Sequence, residues 1–462
     1  MSPDPAHARE TPRPHDGSRA YDGTRRLAPA RVLDIDPLLD DPRTRIVVCC
    51  GSGGVGKTTT AAALGLRAAE RGRKVVVLTI DPARRLAQSM GIDSLDNVPR
   101  RVKGTEGDGE LHAMMLDMKR TFDEVVEAHT DPERAAAILA NPFYQSLSAG
   151  FAGTQEYMAM EKLGQLRAKD EWDLIVVDTP PSRSALDFLD APKRLGSFLD
   201  GRLIRLLTAP AKLGGRAGMK FLNVGMTMMT GTLGKLLGGQ LLKDVQTFVA
   251  AMDTTFGGFR KRADATYKLL QAPGTAFLVV AAPERDALRE AAYFVERLAA
   301  EKMPLAGLVL NRVHGSGADQ LSAERALAAA ENLEESRIVD QEDGKKLRNS
   351  PDTYGSSDSP TSRSDPGAPQ ADTATGTDAS ASADAPDPVV DQVAAGLLRL
   401  HAERMQLLLR EQRTRDRFTA LHPEVPVAEV AALPGDVHDL AGLRDIGNRL
   451  ANNRREPSEP NA

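Results

Sequence analysis

Uninterrupted aliphatic runs recur along the chain: Ile46-Val47-Val48, Val75-Val76-Val77-Leu78, Leu174-Ile175-Val176-Val177, Ala276-Phe277-Leu278-Val279-Val280 and Leu308-Val309-Leu310. Runs this short, without polar alternation, mark strands buried on both faces. The pattern predicts strands over residues 45–50, 74–80, 173–178, 276–282 and 306–311, a helix over 58–71, and a last short strand near Pro426 to Val430. Helical spacing fills several of the intervals. The fold class this implies is α/β, with a doubly wound, mostly parallel sheet.

Polar stretches set the outer boundaries. Residues 1–30 carry Pro3, Pro5, Pro12 and Pro14, lack the apolar core of a signal peptide, and read as a disordered tail, as do residues 451–462. Residues 340–388 hold almost no large apolar side chains, so burial cannot offset their chain entropy and a disordered insertion is expected there. The core domain is therefore expected over 31–339, with a helical insertion at about 115–265, and residues 389–450 supply a C-terminal helix and the last strand. Within the insertion, Leu203 to Met252 is rich in Met, Leu and Gly, fitting either a helical subdomain packed on itself or an adaptable apolar client surface. From Val389 to Leu421, Val393, Leu397, Leu400, Met405, Leu408 and Leu409 recur at helical spacing among Arg and Glu. That amphipathic helix packs on the core or on a neighbouring subunit, and its basic face admits peripheral contact with anionic lipid.

Chemistry enters between the first strand and the first helix, at Gly51-Ser52-Gly53-Gly54-Val55-Gly56-Lys57-Thr58. Glycines let successive backbone N–H groups turn inward, making an anion cradle at a helix N-terminus. A strand, this loop and a helix in that order are the context of a P-loop nucleoside triphosphatase, and a nucleoside triphosphate is the expected ligand. Gly53, Gly54, Val55, Gly56 and Thr59 belong to the cradle, Lys57 reaches the β- and γ-phosphates, and the Thr58 hydroxyl joins the shell of a magnesium ion.

Asp178, at the end of the strand over 173–178, is the acid expected on the magnesium side, directly or through water. Asp81 closes the strand over 74–80 at the same sheet edge. From position alone it either orients a water for attack on the γ-phosphate or caps the helix that follows.

Together GSGGVGKTTT (51–60), DPARRL (81–86), GTQEYMAMEKL (153–163), DTPPSRSALDFL (178–189), VLNRV (309–313) and VPVAEVAALPGDVHDLAGLRDIG (425–447) resemble the ArsA-like ATPases. That family includes the arsenite-pump ATPase and the ATPase that targets tail-anchored membrane proteins. The resemblance implies that Asp81 activates water, that Asp178 is the acid of the second switch, that Asn311 contacts adenine, and that the chain works as a cytoplasmic dimer hydrolysing ATP. It also implies a second lysine directly after the first glycine of the loop, reaching the partner's nucleotide, but Ser52 stands there. A serine cannot supply that charge, which leaves slow hydrolysis as a homodimer, pairing with a lysine-bearing paralogue, or a regulatory nucleotide-binding subunit. Arg84 and Ser184 replace histidines expected in the two switch loops.

Composition narrows the partners. With two cysteines, Cys49 and Cys50, adjacent on the first strand, there is no C-x-x-C zinc clasp and no thiolate set for arsenite, which argues against an arsenite or anion pump. A net charge of −5 and 4% aromatic residues offer no basic stripe for nucleic acid. No run reaches the roughly 20 apolar residues of a transmembrane helix. A hydrophobic client protein is the further partner the family likeness implies.

Overall fold

The computed structural model describes residues 31–80, 85–148, 154–180, 261–346 and 388–452. Among them α1 (Ile35–Asp40), β1 (Ile46–Gly51), α2 (Lys57–Glu70), β2 (Lys74–Thr79), α3 (Arg85–Ser89), β3 (Arg100–Arg101) and β4 (Glu110–Met115) come first. Helices α4 (Met118–His129), α5 (Pro132–Leu139), α6 (Pro142–Ser148) and α7 (Thr154–Lys169) precede β5 (Leu174–Asp178). The chain continues through β6 (Thr275–Ala281), α8 (Arg285–Ala300), β7 (Leu305–Val313), α9 (Ala323–Lys346), α10 (Pro388–Leu421), β8 (Val427–Ala431) and α11 (Leu440–Ala451).

The strands form one sheet in the order β3-β4-β2-β5-β1-β6-β7-β8. Every pairing is parallel except β3 with β4. β1 lies between β5 and β6, and all six of its residues are buried. Successive side chains point to opposite faces of a strand. Ile46, Val48 and Cys50 therefore enter the core with Tyr144, Tyr157 and Phe277, while Val47 and Cys49 enter the opposite core with Leu64 and Leu66 of α2 and Leu443 of α11. Helices thus cover both faces, as the aliphatic runs predict.

The structure differs from the sequence pattern in three places. β4, with the short β3 beside it, was not anticipated: its Glu110 and His112 break the aliphatic run, yet it pairs with β2 in register. Helix α9 continues to Lys346, past the boundary expected at 340, since Gln341, Glu342 and Lys345 are good helix formers although polar. The expected insertion at about 115–265 begins where β4 ends, and its described residues hold α4 to α7 followed by β5, a strand of the central sheet. The Met-rich stretch 203–252, residues 1–30, 347–387 and 453–462 lie outside the described residues, as do Asp81, Arg84 and Ser184, whereas Ala451, expected in the C-terminal tail, closes α11.

On α10, Val390, Val393, Leu397 and Leu400 are each more than half exposed, at alternating spacings of three and four residues. The opposite face carries buried Ala395 and Ala402 and packs along α9. Among the described residues no helix is long and apolar enough to cross a membrane.

Candidate nucleotide site

The carboxyl ends of β1, β2, β5, β6 and β7 converge on the loop between β1 and α2. Gly51 ends β1 with φ +151°, and a Cβ there would lie 2.1 Å from the Val280 carbonyl oxygen of β6. Gly56 caps α2 in the left-handed region, φ +90°, and a Cβ there would lie 2.2 Å from Asn311 Nδ2. Only glycine meets both demands of space and dihedral angle at Gly56. Gly53 and Gly54 form the exposed crest of the loop, Val55 is buried beneath it, and Thr58 and Thr59 are half-buried on the first turn of α2.

Lys57 is buried, and its Nζ donates to the Ser52 carbonyl oxygen at 2.7 Å. The ammonium is thereby folded back over the loop it would serve. Asp178, fully buried at the end of β5, accepts hydrogen bonds on Oδ2 from Thr58 Oγ1 and Thr79 Oγ1, both at 2.8 Å. Two strands and a helix therefore deliver one carboxylate and two hydroxyls to the foot of the loop. Hard oxygen donors of this kind, one or two from protein and the rest from phosphate and water, suit magnesium. Next in sequence, Thr179 Oγ1 donates to the Cys49 carbonyl at 2.9 Å, tying the start of the following loop to β1. Burial, followed by the Asp178 charge, pushes the Cys49 thiol well up, and burial raises Cys50 to about 12. The nearby Lys57 charge opposes this on both thiols but burial outweighs it, and the cysteines serve as packing residues.

Asn311 is brought to the same place from β7. Its Nδ2 donates to the Val55 carbonyl at 2.9 Å, beside Gly56. The pairing of β7 with β8 shifts register between Leu310 and Val313, and Arg312 within that bulge has φ +60°. Beyond Asn311 opens a cavity of about 600 Å³ bordered by Thr59, Pro283, Glu284, Glu411, Leu433 and Asp436 among others. Its size suits a nucleoside. Of the residues expected at the site, Lys57, Thr58, Thr59, Asp178 and Asn311 are brought together with the loop glycines, whereas Asp81 lies outside the described residues.

The far wall of the cavity lies partly in the family-like segment 425–447, though no residue of it was singled out for the site. Leu433-Pro434-Gly435-Asp436 carries a turn signature that could have pointed to a loop at the sheet edge. Nothing in the pattern around Glu411 singled it out among the charges of α10.

A parallel α/β sheet with a glycine cradle, an invaginated lysine and a hydroxyl–carboxylate pair at its carboxyl edge defines a P-loop nucleoside triphosphate-binding protein. Residues 44–343 match the model of the anion-transporting ATPase family, and the chain belongs to that family. It is 26% identical over 303 residues to the ATPase GET3 of Podospora anserina, covering 63% of this chain and 81% of that protein. To the ATPase GET3 of Malassezia globosa it is 31% identical over 162 residues, 35% of this chain and 46% of that protein. An ATPase ASNA1 homolog of Cryptosporidium parvum is 26% identical over 263 residues, 57% of this chain and 63% of that protein.

Proposed function

We propose that the chain binds ATP with magnesium and hydrolyses it to ADP and phosphate as a cytoplasmic dimer, its nucleotide state governing a helical segment that meets a partner or client. The observation that carries this reading is the meeting of Lys57, Thr58 and Asp178 at the foot of the loop. On nucleotide entry Lys57 exchanges the Ser52 carbonyl for phosphate oxygens, keeping its hydrogen-bond count while gaining an opposite charge. Thr58 and Asp178 would hold magnesium, directly or through water, and the ion would supply neutralisation of charge on the β- and γ-phosphates. Asp81 orients the attacking water and receives its proton. Asn311 turns its amide to the base. The two relatives named ATPase GET3 and the ASNA1 homolog support the activity.

Ser52 favours a partner that supplies the missing cation: a lysine-bearing paralogue would serve the site built on Lys57, while Ser52 leaves the partner's nucleotide unassisted. The exposed 3-4 stripe of α10 supports pairing of subunits, since that spacing is the seam of helices packed side by side. A second reading makes the chain a weakly active regulatory subunit that binds nucleotide and completes the site of a lysine-bearing paralogue. Single-turnover ATPase assays, on the chain alone and mixed with the paralogue, separate the two. The ATPase reading expects turnover that rises on mixing and falls on the order of 100-fold with Asp81→Asn. Turnover in the mixture indifferent to Asp81→Asn would leave only the regulatory role.

A further inference from the structure

Helix α10 reaches the nucleotide cavity from a part of the chain remote from the loop, and it does so at several points. Glu411, 8% exposed, takes the His314 backbone N–H on Oε2 at 3.2 Å and meets His314 Nδ1 with Oε1 at 2.6 Å. About two turns towards its N-terminus, Arg404 donates through Nε and Nη2 to the Gly315 carbonyl at 2.9 and 2.7 Å. His401 Nε2 lies 2.8 Å from the Leu321 carbonyl. In the other direction Arg415 Nη1 donates to Glu429 Oε1 of β8 at 2.8 Å. The same helix therefore grips the chain leaving β7 and the strand leading into the 431–437 loop, which form two walls of the cavity.

These grips fall where the backbone is least able to hold itself. The β7–β8 register breaks between Leu310 and Val313, and Arg312 sits in a left-handed conformation that costs a non-glycine residue energy. Asn311, inside that break, must keep its amide beside Val55 and Gly56. A buried carboxylate anchored on the residue just after the bulge fixes the direction in which Asn311 points. Charge-assisted bonds at low exposure are the stronger kind, and Glu411 makes two to a single residue.

We propose that Glu411 is a positioning residue for the nucleoside half of the site, and that α10 is the splint which shapes that half, leaving the phosphate cradle to β1 and α2. The inference rests on the nucleotide-binding reading above and assigns this helix a role within it. It follows that α10, the helix with the exposed apolar stripe, is mechanically joined to the cavity wall: whatever displaces it changes nucleoside affinity, and nucleoside binding resists its displacement.

The test compares binding of ATP with binding of inorganic tripolyphosphate, each with magnesium, by calorimetry on the full chain. Tripolyphosphate occupies the cradle alone, so the ratio of the two affinities reports the nucleoside half. Glu411→Ala is expected to lower the preference for ATP about tenfold, the size of one charge-assisted hydrogen bond, with tripolyphosphate affinity unchanged. Glu411→Gln, which keeps one acceptor and the packing of α10, is expected to lose part of that preference. Arg399→Ala is the control: it breaks the exposed pair with Glu334, joining α10 to α9 away from the cavity, and should leave the preference as in the wild type. Equal weakening of both ligands, or an unchanged ratio in Glu411→Ala and Glu411→Gln, would overturn the positioning role. Wild-type protein that binds neither ligand would overturn the nucleotide-binding reading and this inference with it.

Discussion

A methyl group on Gly56 would stand 2.2 Å from Asn311 Nδ2 on a residue already at φ +90°. Gly56→Ala is accordingly expected to destabilise the fold by about 1–3 kcal/mol and to push Asn311 off the Val55 carbonyl, read as a lower denaturation midpoint with weaker nucleotide binding. An unchanged midpoint would mean that the loop rearranges cheaply. The neighbouring thiols give a pH signature. The folded protein keeps Cys50 protonated up to about 12, against an ordinary value of 9.0, so between these the unfolded chain releases a proton that the folded chain retains. By linkage the thiol contribution is constant below 9.0 and stability falls as pH rises from there towards about 12. Cys49, raised by burial and by Asp178, works in the same direction. Chemical denaturation along that pH range should show the slope, and substituting both cysteines by alanine should reduce it, leaving the part above 10.0 that buried Tyr144 and Tyr157, held protonated mainly by burial, contribute in the same direction. At residue scale the sequence pointed to Lys57, Thr58 and Asp178 because each ends a strand or opens a helix beside the glycine loop, and to Asn311 through the family likeness alone. It hid Glu411, whose role comes from burial against His314 and not from any local pattern.

Among the elements, β1, β2, β5, β6 and β7 were legible since strands covered on both faces spell unbroken aliphatic runs. β4 was not, because Glu110 and His112 are half-buried near the sheet's edge and need no apolar side chain. The bulge in β7 was equally silent: Asn311-Arg312 reads as the plain end of a strand, and only the pairing with β8, brought in after α10, reveals the shift. Helix α10 itself was expected, but its two faces had to be told apart by packing: Ala395 and Ala402 face α9, while Val390, Val393, Leu397 and Leu400 face outward. If this stripe is the seam between subunits, Leu397→Glu combined with Leu400→Glu should leave monomers in sedimentation analysis while the monomer retains its secondary structure. A dimer that survives both changes would place the seam elsewhere.

For the molecule as a whole, strand order accounts for where function gathers. β1 lies at the middle of eight strands with chain crossing to either side, and the crevice above its carboxyl end is where open parallel sheets bind ligands. The phosphate half of the crevice comes from the loop between β1 and α2 with Asp178 brought in from β5, whereas the nucleoside half is assembled around β6, β7, α10 and the loop after β8. The first half could be read from motifs; of the second, the family likeness pointed to Asn311 and to the segment 425–447, while the part played by Glu411 came from the fold. Calorimetric titration of the full chain with ATP and magnesium, beside Lys57→Ala, tests the central claim. Saturable binding by the wild type, weakened on the order of 100-fold by the substitution, is the expected result. Binding that Lys57→Ala leaves intact, or no binding by the wild type, would contradict it.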